Sequence, residues 1–286
     1  MSNTSPLDRV EVAATGAATP PLTASVNVTR RSLIGLVAVS TAAATPSWAT
    51  PSTDAHATAV SGTKDKVPDM TTDTQSSLPA RQLAIGPIAV ATAQGDMAAL
   101  AISLNTGLDA GLTVSDLKEV LVQLYAYAGF PRTLNALGEL MKTLDTRKRA
   151  GRQDPAGREP GPVPTGAALL ARGTANQTRL SGAPVRGRLF DFVPAIDQFL
   201  KTHLFGDIFE RDNLDWPSRE LATVAALSAL SGVEAQLQAH VRISLNVGLT
   251  LAQLRLFAET LAARQQTEAA GRLTAVLDAK VGQEKA

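Results

Sequence analysis

No cysteine occurs anywhere in the 286 residues. That excludes disulfide bonds, thiolate nucleophiles and cysteine metal sites, so stability has to come from apolar burial and subunit contacts. Aromatic residues are scarce at 4%, and the formal net charge is only +1. Neither a base-stacking surface nor the basic footprint of a nucleic-acid-binding protein is present. Long apolar runs are also missing. The most apolar leading stretch, Leu33 to Ala44, is shorter than the roughly 20 residues that span a bilayer. No period-2 alternation runs for more than a few residues, which argues against strands.

The first 49 residues read as a leader. Thr29-Arg30-Arg31-Ser32-Leu33-Ile34-Gly35 is a twin-arginine pattern, and the stretch behind it ends in Pro46-Ser47-Trp48-Ala49, a small-residue ending like a signal-peptidase site. The expectation is a twin-arginine signal peptide over 1–49, cleaved after Ala49. The mature protein would be periplasmic or secreted, with no membrane association after cleavage. Residues 50–78 are rich in Ser, Thr, Asp, Ala and Gly, a composition that predicts a disordered mature N-terminus.

The rest looks duplicated. Gly111-Leu112-Thr113 recurs as Gly248-Leu249-Thr250, and at the same offset Gly95 meets Gly232, Leu100 meets Leu237 and Leu117 meets Leu254. Pro79-Ala80-Arg81-Gln82-Leu83-Ala84 matches Pro217-Ser218-Arg219-Glu220-Leu221-Ala222 with a shift of one more residue. A repeat this long indicates tandem domains and not a solenoid. Both copies read as helices: Thr113-x-x-Asp116 and Thr250-x-x-Gln253 are capping signatures. Behind them Leu117, Val120, Leu121 and Leu124 repeat at the 3-4 spacing of one buried face, as do Leu251, Leu254, Phe257, Ala258 and Leu261. The predicted units are 79–146 and 190–283. The segment 147–189 between them, with Arg147, Lys148, Arg149 and Arg152 among glycines and prolines, is predicted to be a solvated linker. The aromatic stretch 190–214 has no counterpart before the first copy and is expected to be buried.

One run carries chemistry: Arg219-Glu220-Leu221-Ala222-Thr223, then Gly232-Val233-Glu234-Ala235-Gln236-Leu237-Gln238-Ala239-His240. This resembles the carboxymuconolactone decarboxylase family, whose peroxidase branch, the alkylhydroperoxidases, carries a glutamate followed by Cys-x-x-Cys-x-x-x-His. Here the two cysteine places hold Val233 and Gln236, so the thiol chemistry of that branch is excluded. The resemblance implies an all-α fold of two fused alkylhydroperoxidase-like helical units. Because single-unit members commonly form six-membered rings, it also implies a homo-oligomer, a trimer of two-unit chains.

The geometry of two antiparallel helices turning at Ser231-Gly232 sets Glu220 opposite position 243, one turn from His240, within reach of a carboxylate–imidazole contact. Such a pair is a serviceable proton donor or acceptor near neutral pH. The alternative is structural, with Glu220 complementing a helix dipole and His240 satisfied in the core. Gln236, four residues before His240, shares its face. The first copy has Gln82 and Ser103 in place of the pair, but keeps Tyr125-Ala126-Tyr127-Ala128-Gly129-Phe130-Pro131-Arg132, which resembles the family's Tyr-Ala-Gly-x-Pro segment. The second copy reads Ala262 to Glu268 there.

Each copy therefore keeps what the other lost. The expectation is one composite site: His240 and Glu220 catalytic, with Gln236, Arg211, Tyr125, Tyr127, Phe130 and Arg132 against the substrate. The arginines are candidates for a carboxylate fork, with surface ion pairing as the other use. Packing alone is the other reading of the tyrosines. His203 with Asp207 could offer two metal ligands, one short of a site. Neither a metal nor a cofactor is expected.

The expected function is a cofactor-free lyase or isomerase acting on a small carboxylated lactone or related acid. The alternatives are a non-catalytic oligomeric binding protein for small molecules and, opposed by the missing thiols, a peroxidase.

Overall fold

Thr113 and Thr250 open their helices in the same way. The Thr113 hydroxyl accepts from the Asp116 N–H at 3.1 Å while Asp116 accepts from the Thr113 N–H at 2.9 Å. Thr250 and Gln253 make the same exchange at 3.1 and 2.9 Å. Each box satisfies two backbone donors that a helix start leaves orphaned. These two helices, α4 (Val114–Arg149) and α10 (Leu251–Ala263), anchor equivalent halves of a computed structural model that describes residues 77–284. The leader and most of the predicted N-terminal tail lie outside the described residues.

Upstream of each box stand helices of matching length, α3 (Met97–Asp109) and α9 (Glu234–Asn246). Before those come α2 (Ile85–Gln94), preceded by the single turn α1 (Ala80–Leu83), and its counterpart α8 (Trp216–Ala229). The second copy closes with α11 (Thr267–Glu284). Between the copies lie α5 (Gly166–Ser181), α6 (Arg188–Phe192), α7 (Pro194–Phe199) and a π-helical segment, Leu200–Ile208. Among the described residues there is no strand. The all-α duplicated architecture follows.

α2 and α8 are buried along nearly their whole length and pack along each other. Their apolar side chains are largely alanine (Ala89, Ala91, Ala93, Ala222, Ala225, Ala226), which lets the backbones approach, and Leu and Ile fill the remaining space. Both helices therefore lie in the core, and the polar side chains that α8 buries there, Arg219 and Glu220, need partners. One cluster accordingly draws on both copies, with Leu100, Leu117 and Leu121 joining Leu221, Leu254 and Phe257. α4 also packs against α8, so the first copy reaches the second copy's chemistry.

Two positions redirect the chain. α4 carries a kink at Gly129 (φ 81, ψ 164), followed by Pro131. Glycine tolerates that backbone and proline lacks the N–H a continuous helix needs. In the second copy, the equivalent place ends α10 at Arg264–Gln266, with Gln265 at φ 63.

The segment expected to be a solvated linker is partly ordered structure. α5 crosses the π-helical segment so closely that a Cβ on Gly173 would sit 1.7 Å from the Lys201 carbonyl oxygen. Arg147 is buried and pairs with Asp154 at 2.7 Å and Asp109 at 2.8 Å. The backbone of Pro155 and Ala156 accepts from Val114 and Ser115. Those contacts hide an arginine that composition alone places in solvent. The aromatic stretch 190–214 divides differently from its expectation. Phe205 and Phe209 are buried, whereas Phe192 and Phe199 are exposed, on two short helices that pack chiefly on each other and, for α7, on the π-helical segment.

Candidate functional site

α8 begins at a capped turn in which Asp215 accepts from the Ser218 N–H at 2.8 Å. Its second turn carries Glu220, whose residue surface is fully buried. The chain turns at Gly232 (φ 78), and α9 returns alongside α8 with His240 facing it. His240 Nδ1 lies 2.8 Å from Glu220 Oε2. A carboxylate accepts, so Nδ1–H donates; in the neutral tautomer this leaves Nε2 as the acceptor.

Nε2 faces the first copy. The Tyr127 hydroxyl stands 3.3 Å from it, with the two rings edge to face at a 5.3 Å centroid distance. The order Tyr127 O–H to His240 to Glu220 is therefore a continuous donor–acceptor chain built from three helices. Burial, and then the charge of Glu220, push the Tyr127 phenol well above its ordinary value, against hydrogen bonds from Thr223 and Gln123. Tyr127 is thus a protonated donor at neutral pH. The second Glu220 oxygen, Oε1, is buried and accepts no hydrogen bond.

Beside this chain runs a second polar layer. Arg219, adjacent to Glu220, is completely buried. It donates to Glu119 Oε2 at 3.0 Å, to the Arg211 carbonyl at 2.8 Å and to Gln123 Oε1 at 3.4 Å. Gln123 in turn donates to Thr223 Oγ1 at 3.1 Å. Arg211 grips the same carboxylate, Nη2 to Oε1 at 2.6 Å and Nε to Oε2 at 2.9 Å. Burial by itself would raise Glu119, but hydrogen bonds from Arg211 and Arg219 outweigh it and hold the carboxyl below its ordinary value. Burial lowers Arg219. This layer ties α4 of the first copy to α8 of the second under the Glu220–His240 pair.

Several expected substrate contacts have other partners. Arg211 is committed to Glu119, and Arg132 donates to the Ala93 carbonyl. The Arg211 fork is filled by both Glu119 oxygens, whereas Arg132 commits one N–H to the Ala93 carbonyl. Gln236 is exposed. Tyr125 hydrogen-bonds not to His240 but to His203, whose Nε2 lies 3.2 Å from its hydroxyl, and the Phe130 ring lies against the Tyr125 ring, tilted by 35° at a 4.1 Å centroid distance. His203 Nδ1 meets Asp207 at 2.9 Å. A second carboxylate–imidazole–phenol chain results, about half exposed at its acid and histidine. No group of three metal-holding side chains exists among the described residues.

Sequence reasoning did not single out Glu119, Gln123, Thr223 or Arg219. A signal was present: Asp116, Glu119, Gln123 and Tyr127 follow one another at 3-4-4 spacing, a polar stripe beside the apolar one on the same helix.

A cavity of about 660 Å³ lies away from the Glu220–His240 pair, over Ser103 and Arg264. The chemistry assigned to Tyr127, His240 and Glu220 rests on their hydrogen bonds and not on that cavity.

The carboxymuconolactone decarboxylase family model matches residues 69–141 and 194–279, one match for each copy. No curated protein sequence matches the chain.

Proposed function

Because the chain belongs to the carboxymuconolactone decarboxylase family, we propose that it is a cofactor-free lyase or isomerase for a small carboxylated lactone or related acid. His240 and Tyr127 handle the proton and Glu220 positions His240. The observation that carries this reading is the bonding of His240, Nδ1 to a buried carboxylate and Nε2 to a phenol held in its protonated form.

In a decarboxylation, the bond from ring carbon to carboxylate breaks, CO₂ leaves, and the electron pair delocalises into the unsaturated carbonyl system. Carbon must then receive a proton. His240 Nε2 first takes a proton from a water in the site while Nδ1–H stays on Glu220; the imidazolium gives that Nε2 proton to carbon, and the hydroxide left behind combines with the departing CO₂ as bicarbonate. In an isomerisation the same nitrogen takes a proton from one carbon and returns it to another, with no net change. The Tyr127–His240 separation of 3.3 Å is long for an O–H donor, which suits a contact that substrate displaces.

The proposal includes assembly as a trimer of two-unit chains, supported by exposed apolar side chains such as Ile102, Leu134 and Met141, and export on the Arg30-Arg31 signal. Sedimentation and the location of the processed chain test these.

The deciding experiment incubates the protein with a panel of unsaturated γ-lactone carboxylic acids and follows CO₂ loss or double-bond migration by mass spectrometry and NMR. Turnover that falls about 100- to 10,000-fold in His240→Ala and is unchanged in Ser103→Ala supports the reading. Binding of these acids without turnover supports the alternative, a binding protein on the same fold.

A further inference from the structure

The duplication supplies each copy with the same set of positions, and the mate of the Tyr127–His240–Glu220 site can be located residue by residue. Ser103 stands for His240, Gln82 for Glu220, and Arg264 for Tyr127. None of the acid–base pairing survives. Gln82 Nε2 donates to Ser218 Oγ at 3.1 Å, and the Ser103 hydroxyl donates to the Ala99 carbonyl at 2.8 Å. Where the second copy's site is closed by the Tyr127 ring, the mate is an open cavity of about 660 Å³, the size of a small-molecule pocket.

We propose that this cavity is a second ligand site, one that takes a small carboxylate with an apolar tail, bound through Arg264. Leu83, Pro87 and Ala99 supply an apolar floor, and Arg264 and Ser103 the polar contacts. Of the charged groups lining it, Asp96 accepts from the Ala99 N–H at 2.9 Å and Glu268 pairs with Arg272 at 3.3 Å. The Arg264 side chain has no such partner among the described residues. A planar guanidinium left free beside an apolar floor matches a carboxylate bidentately.

Its position is also fixed. Gln265 adopts the left-handed backbone, the only described residue other than glycine to do so. Gln266 bridges the bend to the first copy by donating from Nε2 to the Pro87 carbonyl at 3.1 Å. A non-glycine residue holds such a conformation only where its surroundings enforce it. The chemistry of this site is recognition without proton transfer, and it does not depend on the catalytic reading of His240.

The test is calorimetric titration of hexanoate, and of hexanamide as its uncharged counterpart, into the wild-type chain, Arg264→Gln and His240→Ala. Saturable hexanoate binding is expected, with a dissociation constant of about 1 mM for so small a ligand. Hexanamide should bind at least about 10-fold more weakly, and Arg264→Gln should weaken hexanoate about 10- to 100-fold. Arg264 is exposed, so an unchanged thermal melt should accompany that loss. His240→Ala should bind hexanoate like the wild type. Equal hexanoate affinity in Arg264→Gln, loss of binding in His240→Ala, or no saturable binding to the wild-type chain would each overturn the proposal.

Discussion

The Tyr127 hydroxyl of the first copy lies 3.3 Å from His240 Nε2 of the second, so the Glu220–His240 pair is completed across the duplication. The contact depends on α4 packing against α8 and on Glu119 of α4 being locked to Arg219 of α8 at 3.0 Å. Losing Gln82 and Ser103 as acid–base residues costs the chain one site of two. Losing the aromatic wall at Arg264 opens the space beside the lost site. Ser103 and Arg264 line the same cavity.

Alkaline titration should distinguish Tyr127. Its phenol is raised above the ordinary value of 10.0 by burial and by Glu220. The protonated form is therefore favoured by folding, and this stabilisation is present below about pH 10 and is lost as pH climbs through the folded value. The chain has two tyrosines. Following phenolate absorbance in wild type and Tyr127→Phe, the missing component in the variant should be the one that ionises latest, together with alkaline unfolding. A missing component that titrates at the ordinary tyrosine value would refute the assignment.

Glu119 should matter for stability more than any surface acid. Glu119→Gln leaves Arg219 charged and without a carboxylate in a fully buried position, which costs about 3–5 kcal/mol; denaturant unfolding reads this directly. The pH dependence has a definite sign. The carboxyl is held below the ordinary 4.5, so its contribution is present above that value and disappears as pH falls through the folded value. The variant should lack this part of the acid limb. Replacing Arg219 together with Glu119 by apolar residues of similar volume should restore much of the loss; no recovery would mean that the ion pair is not its cause.

The crossing of α5 with the π-helical segment predicts an unequal pair of glycine substitutions. Gly173→Ala places a methyl 1.7 Å from a backbone carbonyl, whereas Gly206→Ala first meets the flexible Leu169 side chain at 2.8 Å. The first should cost about 1–3 kcal/mol or more and the second less. Thermal melts of both variants check the order. The same change should disturb the Tyr125–His203 contact, because His203 sits on the segment that must move.

Periodicity and capping made the helices legible. Thr113, Thr250 and the leucine stripes mark starts and buried faces by local chemistry, and the repeat registers them against each other. The Glu220–His240 contact was legible for the same reason, since two helices joined by a short turn have few ways to pack. What local pattern does not encode is which helix of one copy lies on which of the other. That is why Arg211, equally suited to a substrate carboxylate or an ion pair, belongs to Glu119, 92 positions away. Tyr125 and Tyr127 meet different histidines for a local reason, since side chains two residues apart leave a helix on different faces. The order in 147–189 escaped notice because it comes from tertiary contacts, Arg147 with Asp154 and Gly173 against Lys201, within a sequence of loop-like composition.

His240 bonds Glu220 of its own copy through Nδ1 and Tyr127 of the other copy through Nε2, and nitrogen-15 NMR of the histidine side chains measures that bonding without any substrate. The predicted spectrum has His240 protonated at Nδ1 and accepting at Nε2. Its Nε2 resonance should shift in Tyr127→Phe and stay in place in Tyr125→Phe. An Nε2 signal indifferent to Tyr127→Phe, or a His240 protonated at Nε2 alone, would contradict the composite site.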